Sequence, residues 1–104
     1  MIFSTSKDGA SVTLHITGEL DAVSVPDLRP ALDDLIKEGH KKIIVDLRGL
    51  RLIDSSGVGA IVYLFRRIRG HGGTVVVRGA TDQPLAIFKL LKLDQILIVD
   101  APPL

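Results

Sequence analysis

The chain has 104 residues, the length of one ordinary domain, and folding at that size removes roughly two thirds of the unfolded surface from water, enough to fold without staples. Thirteen basic and 12 acidic residues leave a formal charge of +1, which argues against a dedicated nucleic-acid binder; the absence of cysteine excludes a disulfide framework, a thiolate metal site and a cysteine nucleophile. An apolar share of 46% is that of a globular chain, and because only 4% of residues are aromatic its core must be aliphatic.

The longest apolar run, Gly57 to Phe65, falls far short of the ~20 residues a membrane span requires. Residues 1–6 lack the basic start and apolar core of a signal peptide, so the expectation is a cytoplasmic, unprocessed chain forming one domain over residues 1–104.

Ile2 to Ser6 reads as a short strand, and Lys7-Asp8-Gly9-Ala10 as a hairpin turn into a second strand, where Val12, Leu14 and Ile16 alternate with Thr13, His15 and Thr17. Gly18 closes that strand. Ser24 is placed to cap a helix carrying Val25, Leu28, Leu32, Leu35 and Ile36, with Gly39 near its end. Pro30 interrupts the pattern, leaving two options: an irregular first turn, or a regular helix that starts near Pro30.

Lys42 to Leu47 reads as a short apolar run with β-branched residues at Ile43, Ile44 and Val45, as expected of a central strand covered on both faces. From Ser55 onward Val58, Ile61, Val62, Phe65 and Ile68 recur at helical spacing, and Gly70, Gly72 and Gly73 stop the helix. Thr74 to Arg78 is a further strand, Asp82 can cap a helix holding Pro84, Leu85, Ile87, Phe88, Leu90 and Leu91, and Gln95 to Val99 is a last strand. Strands that alternate with helices after an opening hairpin imply an α/β fold: a mixed sheet of four to five strands with helices packed against it.

The turn Ile53-Asp54-Ser55-Ser56-Gly57-Val58-Gly59 sets Ser55 at or beside a helix N-cap. Backbone N–H donors and roughly half a positive charge at a helix N-terminus favour an anion there, so a phosphoserine suits the position. Capping is the ordinary role of such residues and is compatible with a switch. Gly57 and Gly59 keep the first helical turn narrow enough for a partner backbone to approach, and Val23 and Val58 are candidates for the apolar centre of an interface.

Enzyme motifs are missing. The chain has no Gly-x-Ser-x-Gly elbow, Ser-x-x-Lys, phosphate-binding Gly-x-x-x-x-Gly-Lys loop or His-Glu-x-x-His pair, and neither a metal nor a cofactor is expected. His15, His40 and His71 are scattered and receive no role. Arg66, Arg67 and Arg69 compensate the dipole at a helix end, so no direct contact with nucleic acid is expected.

The segment Asp54-Ser55-Ser56-Gly57-Val58-Gly59 after Val45-Asp46-Leu47, with Gly18-Glu19-Leu20-Asp21 upstream and Leu90-Leu91-Lys92-Leu93-Asp94 before the last strand, resembles the anti-sigma factor antagonist family, whose fold is the STAS domain. The resemblance runs from about Val12 to Val99. It implies that Ser55 is the phosphate acceptor, with Ser56 the neighbour next in line, and that Asp21, Asp54, Ser55, Ser56, Gly57 and Val58 meet the partner. Glu19 is the other acidic residue of that segment, and Asp46 can also be read as the end of a strand.

The implied partner is an anti-sigma factor serine kinase, which the unphosphorylated antagonist binds so that the sigma factor is freed; a phosphatase of the PP2C type resets the cycle. The chain itself is not an enzyme on this reading. The alternative is a STAS-like subunit of a transporter or signalling complex that phosphorylation does not switch. Two departures from the family pattern stand out: Pro30 in the first helix, and Ala101-Pro102-Pro103-Leu104 where many members carry a closing helix.

Overall fold

A computed structural model describes residues 1–100, with side chains as far as Leu97; the expectation for residues 101–104 lies outside the described residues. Five strands, β1 (Ile2–Asp8), β2 (Ser11–Leu20), β3 (Lys42–Ile53), β4 (Thr74–Arg78) and β5 (Ile98–Asp100), form one sheet in chain order. The β1–β2 pair is antiparallel, and every later pair is parallel. Helices α1 (Val25–Lys37), α2 (Ser55–Gly70) and α3 (Asp82–Leu90) are the crossovers, and a 3-10 turn at Leu93–Gln95 precedes β5. The fold is thus the mixed α/β arrangement the alternation implied.

One face of the sheet makes the core. Val12 and Leu14 of β2 pair in register with Ile43 and Val45 of β3, which pair with Val75 and Val77 of β4, and all six are buried. Leu28, Leu32, Leu35 and Ile36 of α1 and Ala60, Ile61, Leu64 and Ile68 of α2 join the same apolar cluster. Right-handed crossovers between strands that follow one another in order place successive helices on one face, which accounts for the single cluster. The other face carries Ser4, Ser6, Thr13, His15 and Asp46, and Thr13, His15 and Ile44 are only half-buried.

Several boundaries differ from the expectation. β1 runs on to Asp8, paired with Ser11, and the turn contracts around Gly9, whose φ of +61° is costless only for glycine. α1 passes straight through Pro30 from Val25; Pro30 lies on the exposed side, where the hydrogen bond its ring removes is open to water.

β3 does not stop at Leu47 but continues to Ile53, because β2 keeps pairing with it through Gly18–Leu50 after one register shift and through Leu20–Ile53 after a second. At the C-terminal side Gln95 closes the 3-10 turn and β5 begins only at Ile98. Thr81, not Asp82, holds the cap position of α3.

Candidate phosphoacceptor turn and its surroundings

The long reach of β3 brings its end beside the loop that follows β2, and Asp54 ties the two together. Asp54 is the N-cap of α2: Oδ1 accepts the Gly57 N–H at 3.0 Å, and the Asp54 carbonyl accepts the Val58 N–H at 3.0 Å. Its other oxygen, Oδ2, accepts the Ala22 N–H at 3.2 Å, and its own N–H donates to the Leu20 carbonyl at 3.2 Å. Ser55 is therefore the first helical residue and is exposed, with Ser56 half-buried behind it. Their N–H groups meet no acceptor among the described residues, which leaves two first-turn donors facing outward at the positive end of a 16-residue helix.

Gly57 is required for a different reason from the one its position in the sequence suggested. It is buried, and a Cβ there would lie 2.5 Å from the Leu20 carbonyl oxygen and 2.7 Å from Ile53 Cγ1. The missing side chain makes room for the chain's own β2 end, not for a partner. Val58 is only 7% exposed and belongs to the core, so it is no centre for an interface. Gly59 faces open space.

Asp21 organises the facing loop. Its Oδ1 accepts the N–H of Val23 at 3.1 Å and of Ser24 at 2.9 Å, which holds the carboxyl below its ordinary value, the Ser24 backbone bond being the largest cause. Ser24, expected as a cap, makes no side-chain cap bond; its hydroxyl donates to the Glu19 carbonyl at 3.1 Å and accepts the Asp21 N–H at 3.0 Å. The loop is thereby folded tightly enough to push Val23 outward, 86% exposed.

Next to it Leu52 is 48% exposed, and Glu19, Leu20, Asp21, Leu52, Ile53 and Asp54 line a shallow depression of about 270 Å³. The fold thus brings Asp21, Asp54, Ser55 and Ser56 to one end of the sheet, with two apolar residues beside them. Leu52 escaped the sequence reading, because its exposure beside buried Leu50 and Ile53 breaks the period-2 pattern of the strand.

The second polar cluster lies apart, on the open sheet face. Asp46 sits in mid-strand and does not end β3; it is the one buried charged residue among the described residues, at 6% exposure. Arg48 grips it through Nε at 3.1 Å and Nη2 at 2.8 Å and through its own N–H at 3.0 Å, and His15 Nδ1 lies 3.2 Å from Oδ2. The remaining His15 nitrogen is 3.2 Å from the Ser6 hydroxyl. Burial pushes the Asp46 carboxyl up, but the Arg48 hydrogen bonds and charge outweigh it and leave the group below the usual carboxylate value.

A carboxyl held low in the folded state adds stability that is fully present above its unfolded value of 3.8 and vanishes as pH falls through the lower folded value. The melting-temperature gap between the wild type and Asp46→Asn is therefore expected to be widest near pH 7 and to close below about pH 3.8. A gap independent of pH would contradict this.

Two of the three arginines of α2 are occupied in packing: Arg67 donates to the Tyr63 hydroxyl at 3.3 Å and, with Arg29 of α1, lies over its ring, while Arg69 lies over Phe65. Among the described residues no group of three or more His, Cys, Asp or Glu could hold a metal ion, and no helix is long and apolar enough to cross a membrane.

Set beside known proteins, the sequence matches the family profile described as "Mlab, STAS domain" over residues 3–100. The chain belongs to the STAS-domain family. It is similar to the anti-sigma-B factor antagonist of Bacillus subtilis, at 27% identity over 90 residues that cover 86% of this chain and 82% of that protein. Among solved structures it is similar to a putative anti-sigma factor antagonist of Thermotoga maritima, with a TM-score of 0.89 at 23% identity over 96% of this chain and 86% of the other. It is also similar to SpoIIAA of Bacillus in its phosphorylated form, at 0.76 and 22% identity over 96% of this chain and 92% of that one. At these identities the structures establish a shared STAS fold.

Proposed function

We propose that this STAS domain is an anti-sigma factor antagonist that binds an anti-sigma factor serine kinase through Asp21, Val23, Leu52, Asp54, Ser55 and Ser56 and is released when Ser55 is phosphorylated. The observation that carries the proposal is the placement of Ser55: exposed, first in α2 and directly after the Asp54 cap, with Leu52 and Val23 exposed at the same end of the sheet.

In the transfer the Ser55 oxygen attacks the γ-phosphorus of ATP, the bond to the β-phosphate oxygen breaks, ADP leaves, and a base of the kinase takes the hydroxyl proton. The chain supplies the acceptor and no catalytic group. The outward N–H groups of Ser55 and Ser56 and the helix dipole tolerate the new phosphate within this chain.

Across an interface the same phosphate acts against binding. It adds about 1.5 to 2 negative charges next to Asp54 and Asp21, and desolvating them beside an acidic or apolar partner surface costs a few kcal/mol. Since about 1.4 kcal/mol is tenfold in affinity, that converts a micromolar contact into one too weak to persist, with no change of fold. A PP2C-type phosphatase, hydrolysing the phosphoserine ester, restores the binding form. A cytoplasmic location follows from partners that act on transcription.

Intact-mass measurement after incubation with ATP, magnesium and an anti-sigma factor kinase is expected to show a gain of one phosphate, abolished in Ser55→Ala. A second reading rests on the likeness to a sulfate transporter family protein of Wolinella succinogenes, with a TM-score of 0.72 over 85% of this chain: a subunit that phosphorylation does not switch. A stable complex with a transporter subunit that is indifferent to Ser55→Asp, together with no phosphate gain from any kinase, would favour it.

A further inference from the structure

The start of α3 is built against local preference. Its cap residue Thr81 makes no side-chain cap bond, and its first residue, Asp82, takes a φ of +50°, a left-handed conformation that non-glycine residues adopt at a cost. The same turn aims the next side chain, Gln83, at the end of β3. Gln83 Oε1 accepts the Ile53 N–H at 3.0 Å, and Gln83 Nε2 donates to the Ile53 carbonyl at 2.9 Å.

Strand geometry explains why these two bonds matter. β4 ends at Arg78, whose register partner is Asp46, so the last seven residues of β3 extend past it. Ile53 pairs with Leu20 on its β2 side and is 3% exposed, so its N–H and carbonyl have no strand to meet on the other side and little water. A primary amide presents one donor and one acceptor side by side, as the edge of a strand does, and takes the place of the strand that is missing.

We propose that Gln83 is a positioning residue for the phosphoacceptor turn: by fixing both polar groups of Ile53 it sets the peptide that leads into Asp54, and with it the cap that orients Ser55. This rests on the reading of Ser55 as the acceptor. Gln83 touches no substrate; it acts through Ile53 and Asp54. Misplacing an acceptor oxygen by about 1 Å is enough to slow a transfer ~100-fold, so a partial loosening of the turn is expected to show in the chemical step.

Two substitutions separate positioning from mere stability. Gln83→Leu removes both hydrogen bonds at similar size. Gln83→Glu keeps the shape, and its carboxylate has no donor for the Ile53 carbonyl until it is protonated, when it again offers one donor and one acceptor.

In the unphosphorylated protein, amide exchange at Ile53 and Gly57 is expected to quicken about tenfold in Gln83→Leu, and the Ile53 amide resonance of Gln83→Glu is expected to return toward its wild-type position as pH falls through about 4.3, the ordinary glutamate value. With a kinase that modifies the wild type, at a temperature well below both melting points, Gln83→Leu is expected to lose about tenfold in kcat with KM changed less than threefold.

Unchanged exchange and an Ile53 resonance indifferent to pH would overturn the clamp. Wild-type exchange behaviour altered as expected but kcat unchanged would overturn the positioning role. A wild type that no kinase phosphorylates would instead overturn the assignment of Ser55, and with it the positioning role, while the exchange and pH results would still identify the clamp.

Discussion

Phe88→Ala is expected to lower the stability of the chain by about 3–5 kcal/mol, the cost of removing a large buried ring and leaving a cavity that the surroundings only partly refill. Phe88 is completely buried and is the largest such side chain in a core otherwise made of Leu, Ile, Val and Ala. It lies five residues beyond Gln83 on α3, so the ring and the amide hold the same helix to the rest of the fold at two points. At roughly 4–8 °C per kcal/mol for a chain of this size, the melting temperature should fall by more than about 10 °C. Thermal or urea unfolding checks this, and a fall under about 5 °C would mean that α3 is not held by core packing.

Gly57→Ala is expected to be destabilising even though alanine is the better helix former by about 1 kcal/mol. The new Cβ meets the Leu20 carbonyl oxygen at 2.5 Å and Leu20 Cγ at 2.9 Å. A backbone oxygen cannot rotate away, so the ends of β2 and β3 must separate, at about 1–3 kcal/mol for overpacking of this kind. The bonds from Asp54 N–H to Leu20 and from Ala22 N–H to Asp54 stretch in consequence, and phosphorylation at Ser55 should slow. Gly59→Ala is the control: it faces open space in the same helix and is expected to gain up to about 1 kcal/mol. If both variants shifted unfolding in the same direction, the close approach at Gly57 would not be what selects glycine there.

Much of this fold was legible because its signals are local. Alternation at Val12, Leu14 and Ile16, the β-branched run from Ile43, and the helical spacing from Val58 to Ile68 each report burial on one side of one element, and each element formed where the pattern placed it. The turn at Asp54 was legible for the same reason, since a cap and the helix it begins lie within four residues of each other.

What escaped the reading depends on partners distant in the chain. Pro30 was an ambiguity only while the side of α1 that it occupies was unknown. The continuation of β3 through Arg48-Gly49-Leu50 is driven by pairing with Thr17–Leu20, thirty-odd residues earlier, and nothing in the segment itself announces it. Ser24 looked like a cap because serine before an apolar helix usually is one; here the loop around Asp21 claims its hydroxyl. Gln83 gave no signal at all, its two partners being the backbone of a residue 30 positions away.

The order of the sheet has a consequence for how the chain assembles. Because β1 to β5 lie side by side in the order in which they are synthesised, each new strand needs only the one before it as a template, through one hairpin and then three single crossovers. No strand waits for a later one to be inserted between it and its neighbour, so loop-closure costs stay small and arrive one at a time. On a ribosome the N-terminal hairpin, α1 and β3 can dock while α3 is still unmade, and the amide of Gln83 arrives after them, closing the Ile53 edge and only then fixing the turn that follows it.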